Sequence, residues 1–368
     1  MEIPMSRPMI TQEDIDEVMS VLKTPFLSMG PKTDRFEKGF AEYIGTKYGV
    51  AVNAGTSALH IAIRALDLKP GEEVITTPFS FIASSNCILY EGGKPVFVDI
   101  DPKTLNIDPS GISEAITDKT KAILPVHAFG QPCDMKAVME IAEDHGLKVI
   151  EDACESVGAE YLGKKAGTFG LCSTFAFYPN KQMTTGEGGL LLTDDEDVYR
   201  LARSLRNQGR SENSQWLEHE RLGYNYRMDE MSAALGLSQL RRIDKILAMR
   251  QKVAEGYTKL LSAAGGVQTP VIDKRVNKMS WFVYVARVSP GMRNKLMDEL
   301  AKRGVPSKPY FTTIHLQPFY RKLFGFKEGD FPVCEEASRS CIALPFFSEM
   351  SEDEVIYVCE QVKEIMRG

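Results

Sequence analysis

The chain has 368 residues, 43% hydrophobic and 26% charged, with a formal net charge of −6 at pH 7. That length supports two domains with sizeable cores, and the acidic balance gives no support to nucleic-acid binding. No apolar run approaches the ~18 residues of a membrane span, and the N-terminus MEIPMSRPMITQEDIDEV lacks a signal-peptide pattern. The seven cysteines are scattered, odd in number and without a CxxC pair, so reduced thiols in a cytoplasmic protein, with no metal site, are expected.

Residues 11–22, TQEDIDEVMSVL, offer a threonine cap and an acidic first turn, which predicts a helix. FLSMGP reads as a turn, and Phe36, Phe40 and Tyr43 then recur at helical spacing. Next comes a strand, Gly49–Asn53, and the turn Ala54-Gly55-Thr56-Ser57, after which Leu59, Ile63 and Leu66 mark one helix face. A strand, a small-residue turn and a helix start make either an ordinary cap or an anion site, because the first helical amides are free.

Strand-like runs follow at Glu73–Thr77, Pro95–Asp99, Ala122–Val126, Lys148–Asp152, Thr174–Phe177 and Gly189–Thr193. With the run at residue 49 they predict seven strands. Their Val/Ile/Leu character and the helical patterns between them suit a mostly parallel sheet covered on both faces. Asn53, Phe81, His127 and Asp152 fall at or just past strand ends, where ligands collect in open α/β sheets. Taken alone, Phe81 reads equally as core, His127 as a satisfied buried histidine, and Asp152 as a helix cap.

The stretch from Lys148 to Leu192 carries the chemistry. Val149-Ile150 leads into Glu151-Asp152, and Thr174–Phe177 leads to Lys181, followed by the low-bulk segment TTGEGG. A carboxylate, a lysine about thirty residues on and a glycine-rich loop suit pyridoxal 5'-phosphate (PLP). A desolvated lysine amine condenses with the aldehyde, and a carboxylate keeps the pyridine nitrogen protonated.

Farther on, 195–210 reads as a helix running into a loop, and GYNYRM (223–228) precedes a long helical stretch over 228–263. Composition shifts near Ala264-Gly265-Gly266. A strand at Trp281–Val285, a helix at 289–303 and a Ser351–Glu354 capping box predict a smaller C-terminal α/β domain. The expected division is 1–250 and 251–368. NAGTSAL lacks GxGxxG, which argues against a dinucleotide-binding protein.

EDACES, FYPNK, TTGEGG and GYNYRMDEMSAALGLSQL together resemble the DegT/StrS-type nucleotide-sugar aminotransferases, from FLSMGP near the start to LPFF near the end. The resemblance implies a fold-type-I PLP enzyme that transfers an amino group, expected from glutamate, to a nucleotide-linked keto sugar in amino-sugar or surface-polysaccharide biosynthesis. It implies Lys181 and Asp152 as the catalytic pair. Gly55, Thr56 and Ser57 would bind the cofactor phosphate, and Phe81 would stack on the ring. The FLSMGP segment would line the sugar-nucleotide side. Asn225 would reach a partner's phosphate across a homodimer with shared active sites. Arg227, His127, Tyr310 and His315 would lie toward the substrate.

Two departures stand out. Glu155 replaces a glutamine that in many relatives touches the phenolic oxygen, and Ala176 replaces a phosphate-binding serine. The same fold also serves cyclitol aminotransferases, sugar dehydratases in which a histidine replaces the lysine, and proteins labelled regulators. Lys181 and Asp152 favour amino transfer over the last two.

Overall fold

A computed structural model describes residues 2–211, 215 and 218–367. The seven strands fall where the apolar runs place them: β1 (Tyr48–Val52), β2 (Glu73–Thr76), β3 (Lys94–Phe97), β4 (Thr120–Ile123), β5 (Lys148–Asp152), β6 (Cys172–Ala176) and β7 (Gly189–Thr193). They form one sheet in the order β1-β7-β6-β5-β4-β2-β3. All neighbouring pairs are parallel except those of β7, which runs antiparallel to both β1 and β6. Such strands are buried on both faces, which is why they read as continuous apolar runs.

Four helices matter for the site. Helix α1 (Gln12–Leu22) begins where Asp14 accepts the Thr11 amide at 2.8 Å. Helix α2 (Pro31–Ile44) sends Phe36 and Phe40 against Phe175 and Phe177. Helix α3 (Gly55–Arg64) follows β1, and α4 (Ala83–Tyr90) follows the Phe79–Phe81 turn.

The long helix expected over 228–263 is two helices, α5 (Glu230–Leu240) and α6 (Ile243–Leu261). They break at Arg241-Arg242, where Arg242 turns back to Asp14 and the Met9 carbonyl. Asp229 caps α5 by accepting the Ser232 amide at 2.9 Å.

The second half of α6 belongs to another core. Val253, Tyr257 and Leu261 pack with Trp281, Tyr284, Leu296 and the final helix α8 (Glu352–Arg367). Here β8 (Tyr284–Arg287) pairs antiparallel with β9 (Cys341–Leu344), and α7 (Pro290–Lys302) covers them. The strand expected at 281–285 therefore starts three residues later, because Trp281 to Val283 fill the junction between cores. Ile3 and Met5 also cross to this smaller unit, bonding Gly304 and Phe346. The capping box at Ser351 forms, with the Ser351 amide 2.7 Å from Glu354 and the Glu354 amide 3.2 Å from Ser351. No helix among the described residues is long and apolar enough to cross a membrane.

Candidate active site

The C-terminal ends of β1, β2, β5 and β6 open into one cavity of about 780 Å³. Phe282 and the loop Pro309–Thr312 of the smaller unit close its other side. This is the edge at which an open parallel sheet gathers ligands: side chains and helix starts converge there, while the opposite edge holds the incoming connections.

Asp152 ends β5 and is 4% exposed. One carboxylate oxygen accepts the Ser84 hydroxyl at 2.6 Å, and the other accepts the Cys154 amide at 3.2 Å. Ser84 is backed by Ser80 at 2.8 Å. A buried carboxylate with both oxygens engaged is oriented as well as solvated, which suits it to hold a cationic ring nitrogen.

Lys181 stands five residues beyond β6, with Nζ 3.9 Å from the centre of the Phe282 ring and 3.4 Å from Glu155 Oε1. Glu155 is 6% exposed and its other oxygen accepts the Phe129 amide at 2.9 Å. Burial pushes the Glu155 carboxyl above its ordinary range, with Lys181 as the largest opposing influence. Tyr310 lines the same cavity, and burial, followed by the Glu155 charge, pushes its phenol up to about 12.

The start of α3 faces the cavity through Ala54, Gly55 and Thr56. The Ser57 and Ala58 amides bond back to the Ala54 carbonyl, which leaves the first helical amides as the outward donors. Gly55 is required by close approach: a Cβ there would lie 2.6 Å from that of Ala176. The missing hydroxyl at Ala176 thus accompanies tight contact between the helix start and β6. Ser57 does not line the cavity; its hydroxyl donates to Asn53 at 2.7 Å. Phe81 is 64% exposed and forms part of the cavity wall.

Other residues indicated by the sequence lie elsewhere. His127 is fully buried with both ring nitrogens engaged: Nδ1 accepts the Cys133 amide at 3.1 Å, so Nε2 donates to Glu151 at 3.1 Å. His315 is likewise buried, paired with Glu335 at 3.1 Å, and held by burial below the ordinary histidine range. Neither lines the cavity. His127 fits the reading of a satisfied buried histidine, while Nδ1 of His315 is buried without a partner among the described residues. Arg227 donates to Asn207 at 3.0 Å, and Asn225 is exposed outside this cavity.

Ser84, Phe282, Asn180 and Gln317 belong to the lining but were not singled out from sequence. Asn180 adjoins Lys181 in FYPNK, which is its sequence signal. Its Oδ1 is buried without a partner among the described residues.

These residues fit PLP. A helix start supplies phosphate donors, Asp152 a fixed carboxylate, Lys181 an amine and Phe81 a free ring face, and the cavity walls leave a buried acceptor unmet. Among the described residues no group of three or more His, Cys, Asp or Glu side chains could hold a metal.

Comparison with known proteins agrees with this geometry. The sequence matches the DegT/DnrJ/EryC1/StrS aminotransferase family over residues 8–363. GDP-perosamine synthase of Caulobacter vibrioides is 39% identical over 368 residues, covering 98% of each chain. Helicobacter pylori PseC, an aminotransferase involved in pseudoaminic acid biosynthesis, superposes with a TM-score of 0.95 at 28% identity over 100% of both chains. A Streptococcus pneumoniae protein solved in a PLP form gives a TM-score of 0.95 at 29% identity, over 100% of this chain and 99% of that one. With matches that run nearly end to end and a lysine–carboxylate cavity at the sheet edge, the chain belongs to the DegT/DnrJ/EryC1/StrS aminotransferase family.

Proposed function

We propose that the protein is a PLP-dependent aminotransferase that moves an amino group from glutamate to a nucleotide-linked keto sugar, in the cytoplasm and as a homodimer with shared active sites. The observation that carries this reading is the convergence of Lys181, Asp152 and the α3 helix start on one cavity large enough for cofactor and sugar together. Relatives named for GDP-perosamine and pseudoaminic acid synthesis support the substrate class, and one named for spore coat polysaccharide biosynthesis supports the place in polysaccharide synthesis.

When bound, PLP supplies an aldehyde and an electron-withdrawing ring. Nζ of Lys181 would supply the amine that holds the cofactor and would move a proton at the substrate carbon. Asp152 would hold the protonated ring nitrogen, and Ser84 with the Cys154 amide keeps its oxygens aimed. The Gly55 and Thr56 amides and the Thr56 hydroxyl would hold the phosphate. Phe81 would pack on the ring. Asn225, exposed on its own chain, would serve the phosphate of the cofactor held by the partner subunit. Lysine at 181 favours transfer over dehydration, since in the related sugar dehydratases a histidine stands in its place.

The test is to incubate the PLP-loaded protein with glutamate and a panel of keto-sugar nucleotides, following products by mass. An amino-sugar nucleotide formed together with 2-oxoglutarate is expected. A loaded protein that aminates none of the panel but aminates a free cyclitol ketone would overturn the substrate class.

A further inference from the structure

Glu155 is the buried acid that the reaction outlined above leaves without a task. It sits beyond β5 with one oxygen fixed by the Phe129 amide and the other turned to Lys181. The amide is held rigidly. Phe129 takes a left-handed backbone (φ +59°), and Gly130 follows at φ +94°, where a Cβ would collide with the Ser280 carbonyl at 1.6 Å. Gln182 clamps the Glu155 carbonyl and Ser280 together from the far side. The carboxyl therefore cannot swing away from the amine without breaking this corner.

The groups facing Glu155 are few. Lys181 approaches from the β6 side, Asp152 and Cys154 lie on its own segment, and the Tyr310 phenol comes from the smaller unit. Lys181 favours the ionised carboxylate and Asp152 opposes it. The cation that supports the charge of Glu155 is thus the same amine that the cofactor consumes.

We propose that Glu155 accepts the proton Lys181 sheds when the amine condenses with the PLP aldehyde, and then remains a neutral carboxyl that donates a hydrogen bond inside the loaded site. The step balances. The ammonium carries three protons; two leave with the aldehyde oxygen as water while C=N replaces C=O, and the third moves from Nζ to Oε1, 3.4 Å away. An N–H bond breaks, an O–H bond forms, and no electrons are gained or lost overall. Burial, which already pushes this carboxyl up, then acts without the opposing ammonium. An acceptor already turned to the amine before the site closes is the arrangement such a step needs. The inference rests on the proposed role of Lys181.

The experiment counts protons. Apo wild type and Glu155→Gln are loaded with PLP at pH 7 in two buffers of different ionisation enthalpy, and calorimetry gives the protons released per site. Wild type is expected to release about one proton fewer than the variant, because Glu155 retains it. Equal counts would overturn the proposal. Infrared difference spectra of wild type, loaded minus apo, provide a second reading that does not depend on the variant folding. A new protonated-carboxyl band is expected, and its absence would also overturn the proposal. Borohydride trapping in the same samples keeps the two readings apart. No adduct on Lys181 would remove the assignment of the amine itself. An adduct without the proton difference would remove only the role of Glu155.

Discussion

Two stretches carry polar groups suited to a cofactor, and they face opposite ways. At the edge of the large sheet, Asp152, Glu155, Lys181 and the α3 start turn inward on one cavity. In the extended segment 223–229, alternate residues split between two sides. Tyr224 and Tyr226 stack at 4.9 Å and face the protein, Tyr224 donating to Glu91 at 3.0 Å and Tyr226 meeting His60 at 3.0 Å. His60 is held in turn by Glu91 at 2.7 Å. Asn225, between the tyrosines, is exposed. The sheet edge gathers lysine, carboxylate and helix start from one chain. The second stretch is anchored by its tyrosines and leaves the Asn225 side chain exposed. Rigid anchoring of an exposed polar group is what a shared site requires, and it is the physical support for the proposed dimer.

Breaking the inward half should have the larger effect. Asp152→Asn keeps the Ser84 contact available but removes the charge that holds the ring proton. The glutamate half-reaction should slow by roughly 10²-fold or more, in line with the loss of one preorganised electrostatic contact. Stopped-flow absorbance checks this, and an unchanged rate with PLP bound would remove Asp152 from the role.

The outward half is sharpened by complementation. Asn225→Ala should weaken PLP retention and activity in the homodimer. Mixed with Lys181→Ala, it should form heterodimers with one doubly damaged and one intact site, recovering up to about half the wild-type activity by site counting. Verified heterodimers that recover nothing, from parents each defective, would contradict shared sites.

A smaller effect, on stability, tests how the outward stretch is anchored. Glu230 opens α5, yet its carboxylate caps α2, accepting amides of Gly30, Lys32 and Thr33 at 2.8, 2.8 and 2.9 Å. The Glu230 amide in turn bonds the Leu27 carbonyl, so the FLSMGP turn and the end of GYNYRMD are fastened together. Burial works to raise the Glu230 carboxyl, but bonds from the Thr33 hydroxyl and the three amides outweigh it and leave the group below the usual carboxylate range. The stabilisation is therefore full above the unfolded value near 4.5 and fades as pH falls through the lower folded value. Glu230→Gln should cost about 2 kcal/mol at pH 7, and the gap to wild type should close in acid. Denaturant melts at pH 7 and through a descending acid series, down to where the gap stops changing, check both parts.

What was legible in the sequence follows from range. The seven strands show because each is a short apolar run bounded by turns. Asp152, Lys181, Gly55 and Phe81 show because they adjoin those runs, so finding the strand ends finds the cavity. Ser84 does not show: its partner Asp152 is 68 residues away, and a serine early in a helix reads as surface or cap. The Glu230 cap spans 200 residues and has no local signature. The break at Arg241-Arg242 contains neither glycine nor proline; packing of both arginine-bearing turns against α1 makes it, with Arg241 on Glu17 and Arg242 on Asp14. His127 lies near the right strand end but points to Glu151 behind the sheet, a choice of face that one residue type cannot reveal.

The most direct measurement traps the amine. PLP-loaded protein is reduced with borohydride, digested and mapped by mass, beside Lys181→Ala treated identically. A pyridoxyl adduct on the peptide containing Lys181 in wild type is expected, together with loss of that adduct and at least several hundred-fold loss of transamination in the variant. An adduct on a different lysine, or a Lys181→Ala protein that still aminates keto sugar near the wild-type rate, would contradict the account.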